Sequence, residues 1–211
     1  MASGLFDTPS SVKTLRRYWK GKNQFPDPEP LAIQLANETD RSFVILTATI
    51  LDDALLNLIS RNLSIKPTST QLDYIFRYDG PFGSFSSRIE AAFLFGLIDE
   101  ITRSQLSDLR EMRNACAHST QPMSFDTKEL VAVAKRVFKS NFIPPSRIDS
   151  PRGVRHALMT EFLVLLQTMM YGSRQAGTES AAEIINKLVS DAGVPSPDKP
   201  TPDYHRHSAR Y

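Results

Sequence analysis

The densest group of chemically capable side chains in the sequence lies between positions 109 and 119. Four residues separate Arg113 from His118, and three separate Asn114 from His118. An imidazole that titrates near neutral pH can move protons to and from a hydroxyl, and a guanidinium can hold the charge that develops on phosphorus. The asparagine can orient either the imidazole or the phosphate. These residue types are what the cleavage of a phosphodiester needs.

The spacing of these three residues also has a purely structural interpretation. On an α-helix, Asn114 and His118 share a face, whereas Arg113 lies about 140° around the axis from His118. A long arginine can still reach the imidazole if the helix ends or distorts near His118. However, cations near a helix C-terminus also interact favourably with the macrodipole and can bind the last carbonyls. The spacing alone leaves catalysis and helix capping both open.

Two neighbouring carboxylates, Asp52 and Asp53, lie among apolar residues in the middle of another predicted helix. Their side chains point 100° apart, so on a mostly buried helix we expect at least one to face protein. That carboxylate could pair with Arg113 or His118 and set the protonation of the imidazole, or it could form a structural ion pair. Arg88 could bridge to Asp52 or Asp53, or it could bind an anion such as a nucleic-acid phosphate.

The sequence predicts no metal site and no cofactor. One cysteine, Cys116, and four histidines offer few ligands and exclude a cysteine-based zinc site. A lone cysteine also forms no disulfide within the chain, which favours a reducing compartment, and we expect a cytoplasmic protein. The turn at Gly80–Gly83 is no phosphate loop, because no Gly-Lys-Ser/Thr follows it. Neither a Gly-x-Ser-x-Gly element nor a helix-turn-helix pattern occurs.

Composition places the 211-residue chain among ordinary globular proteins, with 41% hydrophobic and 23% charged residues. The net charge of +2 excludes a histone-like or strongly acidic protein. The most apolar stretches, Phe43–Leu51 and Phe162–Leu166, are far shorter than the ~20 residues that span a bilayer. We therefore expect one medium-sized domain that does not contact a membrane.

Both ends of the chain differ from its middle. Residues 1–30 form a basic arm that ends in alternating prolines, which we expect to exclude helix. The first 22 residues hold five cations against Asp7 alone, a local charge of +4. Such an arm could contact RNA or DNA phosphates, through Lys13, Arg16, Arg17, Lys20 and Lys22. Residues 194–211 form a proline-rich tail that we expect to be disordered.

Residues 31–193 show a helical period, which predicts an all-α bundle. A wide apolar stripe over Phe43–Ile59 predicts a central helix with Asp40 as its N-cap. Its width also motivates a predicted homodimer. Ser124–Phe125 is the one candidate for extended chain. Further helices are predicted over about 84–98 with Ser84 as N-cap, 103–117, 127–139, 151–173 with Pro151 in the first turn, and 181–188.

Three segments, in order along positions 38–175, resemble the mannitol operon repressor (MltR-like) family. They are Arg41-Ser-Phe-Val-Ile-Leu-Thr-Ala-Thr-Ile-Leu-Asp-Asp-Ala-Leu, Asp79-Gly-Pro-Phe-Gly-Ser-Phe-Ser-Ser-Arg-Ile-Glu running on to Phe95-Gly-Leu-Ile, and Met112-Arg-Asn-Ala-Cys-Ala-His-Ser followed by Met123-Ser-Phe-Asp-Thr-Lys-Glu-Leu. The basic arm and the proline-rich tail lie outside this resemblance. The family name implies repression of transcription, although the sequence shows no element that reads DNA bases. Repression through a protein partner, or through the arm on phosphates, is the more consistent expectation.

The Arg-x4-His element, with Asn after the Arg, also looks like the signature of HEPN domains, which are helical bundles that often dimerise. In ribonucleases of that superfamily, the resemblance implies that Arg and His from two subunits meet at one interface and cut RNA without metal. Carried over, those residues are Arg113 and His118, with Asn114 in support. Members that keep the fold without nuclease activity also occur. Phe125-Asp126, which follows the motif, favours the repressor family.

We therefore expect a HEPN-like or MltR-like helical bundle, dimeric and cytoplasmic, that acts as a negative regulator of operon expression. A metal-independent ribonuclease that uses Arg113 and His118 is the alternative from a different functional class. A further alternative is a non-catalytic dimer that serves as an antitoxin-like partner or a scaffold.

Overall fold

The computed structural model describes residues 28–63, 67–138 and 148–171, and within these ranges it contains helices and no strand. The predicted all-α fold class is confirmed. Ser124–Phe125, the candidate for extended chain, lies in a turn that the hydrogen bond from the Thr127 N–H to the Ser124 carbonyl closes at 2.9 Å. In chain order the helices are α1 Pro28–Ala36, α2 Asp40–Arg61, α3 Ser69–Phe76, α4 Phe85–Leu94, α5 Glu100–His118, α6 Lys128–Val137 and α7 Pro151–Tyr171.

Helix α2 is the centre of the bundle and contacts α1, α4, α5 and α7. The wide stripe of apolar side chains requires this position, because most of the helix circumference must be removed from water. Among the described helices, α2 is the one long and apolar enough to cross a membrane, a property it shares with core helices of soluble proteins, and half of its most apolar window is buried. Packing inside the chain thus covers much of the stripe that motivates the predicted homodimer.

Helix α7 is apolar on almost every side and packs against α2 and α6. It begins at Pro151 as predicted, where the missing N–H of proline costs no intrahelical hydrogen bond. Twelve of its 21 residues are buried, which completes the core around α2. A helix that is hydrophobic all round is stable only when neighbours surround it.

The starts of two helices show how local side chains set their boundaries. Ser84 caps α4 as predicted, since its hydroxyl accepts the Ser87 N–H at 3.1 Å. The prediction that Asp40 caps α2 is wrong. Thr39 is the N-cap, because its hydroxyl accepts the Ser42 N–H at 3.2 Å. Asp40 is instead the first helical residue, and its carboxylate binds distant parts of the chain.

A cluster around Arg155 joins the N-terminal end of α7 to α1 and α2. The Arg155 guanidinium binds the Asp40 carboxylate at 2.6 Å and lies 4.8 Å over the ring of Phe43. It also donates to three carbonyls at the end of α1, those of Leu35, Ala36 and Glu38. The second Asp40 oxygen accepts the N–H of Phe125 at 3.0 Å. One arginine thereby holds the ends of three elements together.

Two described helices are not predicted from the sequence. Helix α1 begins at Pro28 and includes Pro30, so the expectation that these prolines exclude helix is wrong. Both lie in the first turn, where the N–H groups lack intrahelical partners in any case. Helix α3 has only eight residues, and its apolar stripe is limited to the half-buried Leu72, Ile75 and Phe76, too few for a periodic signal. The basic arm before position 28, the helix predicted at 181–188 and the proline-rich tail lie outside the described residues.

Candidate functional site

The buried stripe of α5 determines which of its side chains can meet a ligand. Leu109, Met112 and Cys116 face the core, with at most 1% of each exposed. This orientation leaves Arg113 and Asn114 half-buried and His118 exposed on the opposite side. The lone cysteine is a small core residue, and burial raises the pKa of its thiol, so it is protonated and unreactive at neutral pH.

Arg113 and Asn114 contact each other, whereas His118 stands apart from them. The Arg113 guanidinium donates to the Asn114 amide oxygen at 3.3 Å. His118 is the last residue of α5, and no hydrogen bond or ion pair within residues 28–63, 67–138 and 148–171 involves its imidazole. Helix α5 ends at His118, which is one of the conditions under which Arg113 could reach the imidazole, but within the described residues the guanidinium donates to Asn114 alone. In one chain, therefore, the structure pairs the arginine with asparagine only.

Arg41, in the first turn of α2, holds the chain where it leaves α5. Its guanidinium donates to the carbonyl of Ser119 at 3.0 Å, and Ser119 is the C-cap of α5. The Ser119 N–H binds the Ala115 carbonyl at 3.0 Å, and within the described ranges the His118 imidazole binds none of the last carbonyls of α5, so it does not cap the helix. Sequence reasoning misses Arg41. Its position 78 residues before Ser119 leaves no periodic signal that could reveal the contact.

A second arginine cluster lies beside Arg113, between α2 and α4. Arg88 is 8% exposed and binds the Asp52 carboxylate at 2.7 Å, so the structure contains the ion pair that the sequence offers as one option. Arg88 also donates to the Phe82 carbonyl at 2.9 Å and to the Gly83 carbonyl at 3.4 Å. Burial and these contacts leave Arg88 little surface that a nucleic-acid phosphate could reach.

The turn before α4 is built to present those carbonyls. A Cβ atom on Gly80 or Gly83 would collide with backbone oxygens at the end of α3 and in the residues after it. Only glycine fits such a close backbone approach. Hydrogen bonds from Gly80 to the Arg77 carbonyl and from Phe82 to the Ile75 carbonyl fold the turn back onto α3. The turn therefore positions Arg88, and through it Asp52.

The electrostatics of the two aspartates follow from this arrangement. Burial raises the pKa of Asp52 above its ordinary value, against the charge and hydrogen bond of Arg88 and the charge of Arg113, which lower it. Desolvation, followed by the charge of Asp52, raises the pKa of Asp53, although its side chain is on the outer face of α2. Arg113 is thus close enough to Asp52 to act on its ionisation.

The structure brings some of the predicted site residues together and separates others. Arg88, Asp52 and Arg113 form one electrostatic cluster, and Asn114 touches it through Arg113. Asp53 and His118 lie on exposed surface beside it. The cations of the basic arm lie outside the described residues. Among the residues that are described, no group of three or more His, Cys, Asp or Glu is arranged to hold a metal ion.

A second surface, which the sequence does not single out, lies at one corner of the bundle. We define the α3–α4 corner as residues 69–101, from α3 to the first turn of α5. It contains five of the seven large apolar side chains that are exposed in the described ranges: Tyr74, Tyr78, Leu94, Phe95 and Ile101. The ring of Phe82 packs 6.0 Å from both Phe76 and Phe95, which ties the end of α3 to the end of α4. Exposed apolar groups concentrated in this way are typical of protein contact surfaces.

Comparisons with known proteins do not identify a family for this chain. No protein-family model, no curated protein and no solved structure matches this chain. The resemblances to the mannitol-repressor-like family and to HEPN domains therefore depend on the segments quoted above.

Proposed function

We propose that this chain is a cytoplasmic regulatory protein of the mannitol-repressor-like kind, built on a HEPN-like bundle, that lowers operon expression by binding a protein partner. The observation that supports this proposal is the α3–α4 corner with its five exposed large apolar side chains. None of the described helices α1–α7 carries a motif that reads DNA bases. The most basic part of the sequence, the arm, suits phosphates in general rather than a particular base sequence.

The regulator proposal is tested by transcript levels in the source cell. Deleting the gene should raise the transcripts of one operon, and a Tyr78→Ser/Leu94→Ser chain should restore repression poorly because the partner surface is weakened. These two side chains are 97% and 78% exposed, so their replacement should leave the fold intact. The His118→Ala chain should repress like the unaltered protein. Full repression by the double variant would overturn the proposal.

The second candidate function is a metal-independent endoribonuclease, favoured by the exposed imidazole of His118 on the same helix as the Arg113–Asn114 pair. Because the arginine and the imidazole lie apart in one chain, this function needs a second copy to complete the site. His118 would move the proton of the RNA 2′-hydroxyl, and Arg113 would stabilise the charge on phosphorus.

Cleavage of single-stranded RNA in EDTA distinguishes the two functions. A ribonuclease should leave cyclic-phosphate or 3′-phosphate ends, and His118→Ala should lower the rate ~10²–10⁴-fold, as for the loss of a general acid or base. Light scattering should then show a dimer. An unaltered rate for His118→Ala removes the ribonuclease that uses His118, and a monomer that cleaves removes the site composed of residues from two copies. A dimer that neither cleaves nor represses would favour the scaffold or antitoxin-like alternative.

A further inference from the structure

The α3–α4 corner combines exposed apolar side chains with an excess of negative charge. Residues 69–101 contain five carboxylates, those of Asp73, Asp79, Glu90, Asp99 and Glu100, against two arginines. One of these arginines, Arg88, is buried with Asp52 and adds nothing to the outer surface. Arg77 pairs with Asp79, and Arg103 of α5 pairs with both Glu90 and Glu100. The negative excess of the outer surface therefore comes from Asp73 and Asp99, which form no ion pair within the described residues. The corner is therefore suited to a segment that carries both cations and large apolar groups.

Other parts of the described surface lack one of the two properties. Residues 102–138 hold six cations against four carboxylates, and even without Arg103, which pairs with carboxylates of the corner, their excess charge is positive. Helix α7 also has a positive excess, with two arginines against one carboxylate. Helices α1 and α2 have a negative excess, but Ile33 is their one exposed large apolar side chain. The corner is thus the described surface that can offer both kinds of contact to one segment.

The chain itself contains a segment of the required chemistry. Residues 13–22 carry five cations and no carboxylate, and Leu15, Tyr18 and Trp19 lie among them. These three apolar residues have i, i+3, i+4 spacing, so on a helix they would share one face. Like charges would disfavour docking of this segment on α6, where three cations outnumber one carboxylate, whereas opposite charges favour the corner.

We infer that residues 13–22 of the basic arm dock on the α3–α4 corner of the same molecule. Tyr18 and Trp19 contact the exposed rings and Leu94, and the flanking cations lie near Asp73 and Asp99. Tethering to α1 gives the arm an effective concentration on the order of millimolar, so a weak contact is enough for substantial occupancy. The regulatory meaning of the contact rests on the proposed function: the arm covers the surface that binds the partner, and partner binding releases its cations.

Trp19 is the one tryptophan in the sequence, and its fluorescence therefore reports on the arm alone. The experiment uses the full chain and, as the undocked reference, a peptide of residues 11–24. We expect Trp19 in the full chain to emit at shorter wavelength than in the peptide, with several-fold weaker quenching by acrylamide. High salt should move both properties toward those of the peptide, because it screens the charge contacts.

Variants locate the docking site. Tyr78→Ser/Leu94→Ser should give Trp19 the emission wavelength and the acrylamide quenching of the peptide. Asp73→Asn should shift both quantities part of the way. The control is Ile33→Ser/Tyr171→Ser, which removes two exposed apolar groups from α1 and α7, 41% and 58% exposed, and should leave the fluorescence of Trp19 unchanged. Circular dichroism checks that each variant is folded. Peptide-like fluorescence in the unaltered chain, or no response to the corner variants, overturns the inference.

The same measurements distinguish docking within one molecule from docking between two molecules. They also test the docking of the arm independently of the proposed function. Fluorescence that is independent of protein concentration supports docking within one molecule, and a signal lost on dilution overturns it. If Tyr78→Ser/Leu94→Ser derepresses the operon but leaves Trp19 unchanged, the proposed function stands and the inference fails. If Trp19 responds but repression is intact, the inference stands and the proposed function fails.

Discussion

Arg155 on α7 and Arg113 on α5 are both half-buried arginines with a carboxylate nearby, but they use their donors differently. Arg155 binds Asp40 and three backbone carbonyls and lies over an aromatic ring. Arg113 donates one hydrogen bond, to the adjacent Asn114, within the described part of the chain. A guanidinium has five N–H donors in a fixed fork, so Arg113 keeps donors that an anion could occupy.

The number of hydrogen-bond and ion-pair partners distinguishes a structural arginine from one that is available for binding. Arg88 is the intermediate case, because it holds one carboxylate and two carbonyls and is more deeply buried than Arg155. Arg155 and Arg88 join helices that are far apart in sequence. Arg113 joins no elements, so we expect the fold to depend on it least.

The largest effect should come from Arg155. Arg155→Met keeps the apolar stem but leaves Asp40 and three carbonyls without their donor, which should lower the free energy of unfolding by about 3 kcal/mol. Urea denaturation monitored by circular dichroism measures this loss. Arg152→Met, on an exposed position of the same helix, is the matched control and should cost under ~0.5 kcal/mol. Equal losses for the two variants would contradict a structural role for Arg155.

Arg88 should have the next largest effect. Arg88→Met leaves the Asp52 carboxylate and the Phe82 carbonyl without their donor, and we expect a loss of about 2 kcal/mol because fewer groups are affected than at Arg155. Arg77→Met is the control, since Arg77 pairs with Asp79 on an open surface and should matter little. An Arg88 variant as stable as the Arg77 variant would show that the turn before α4 holds without its arginine.

Ionisation of Asp52 provides a smaller test with a definite sign. Because burial raises the pKa of Asp52 in the folded state, that state binds more protons than the unfolded chain between the ordinary value of 3.8 and the folded pKa. Relative to Asp52→Asn, the unaltered chain should therefore gain stability as the pH falls through this window from neutral. Urea unfolding of both chains across this pH range measures the difference.

Asp99 supplies the control of opposite sign. Hydrogen bonds from Thr102 lower the pKa of this N-cap carboxylate, so its contribution is present above 3.8 and is lost as the pH falls through the folded pKa. Relative to Asp99→Asn, the unaltered chain should lose stability in that lower window. The same sign for both aspartates would contradict the assigned environments.

The long helices are predictable from the sequence because their core faces repeat every three or four residues. This signal places α2, α4, α5, α6 and α7 to within a few residues. Helix α3 has no buried face, but Thr68 and Gln71 form a capping box that could have revealed its start. The prolines of α1 mislead because their effect depends on their place in the helix, and only the structure shows that they occupy its first turn.

Contacts between distant side chains are harder to predict than helices. The Asp52–Arg88 pair is one of several options that the sequence offers, because both residues lie on recognisable helix faces. Arg155 and Asp40 are 115 positions apart, and no local pattern indicates that they meet. The capping preference of aspartate instead suggests that Asp40 is the N-cap of α2, but Thr39 is the N-cap in the structure. Long-range packing decides between such locally equivalent roles.

The smallest effect on stability should come from Arg113 and His118, and it tests the comparison most directly. Arg113→Met keeps an apolar stem and removes one long hydrogen bond and a charge near Asp52, so the loss should be under ~0.5 kcal/mol. His118→Ala should also cost under ~0.5 kcal/mol, because the imidazole is exposed and binds none of the last carbonyls of α5 within the described ranges. Urea denaturation of Arg113→Met, His118→Ala and Arg155→Met in one experiment measures the difference in their free energies of unfolding. A loss at Arg113 approaching that at Arg155 would make Arg113 a structural residue and remove the reason to expect an anion there. If the free energy of unfolding changes little in both variants, neither side chain stabilises the fold. Any effect of these variants on RNA cleavage or repression would then report on function.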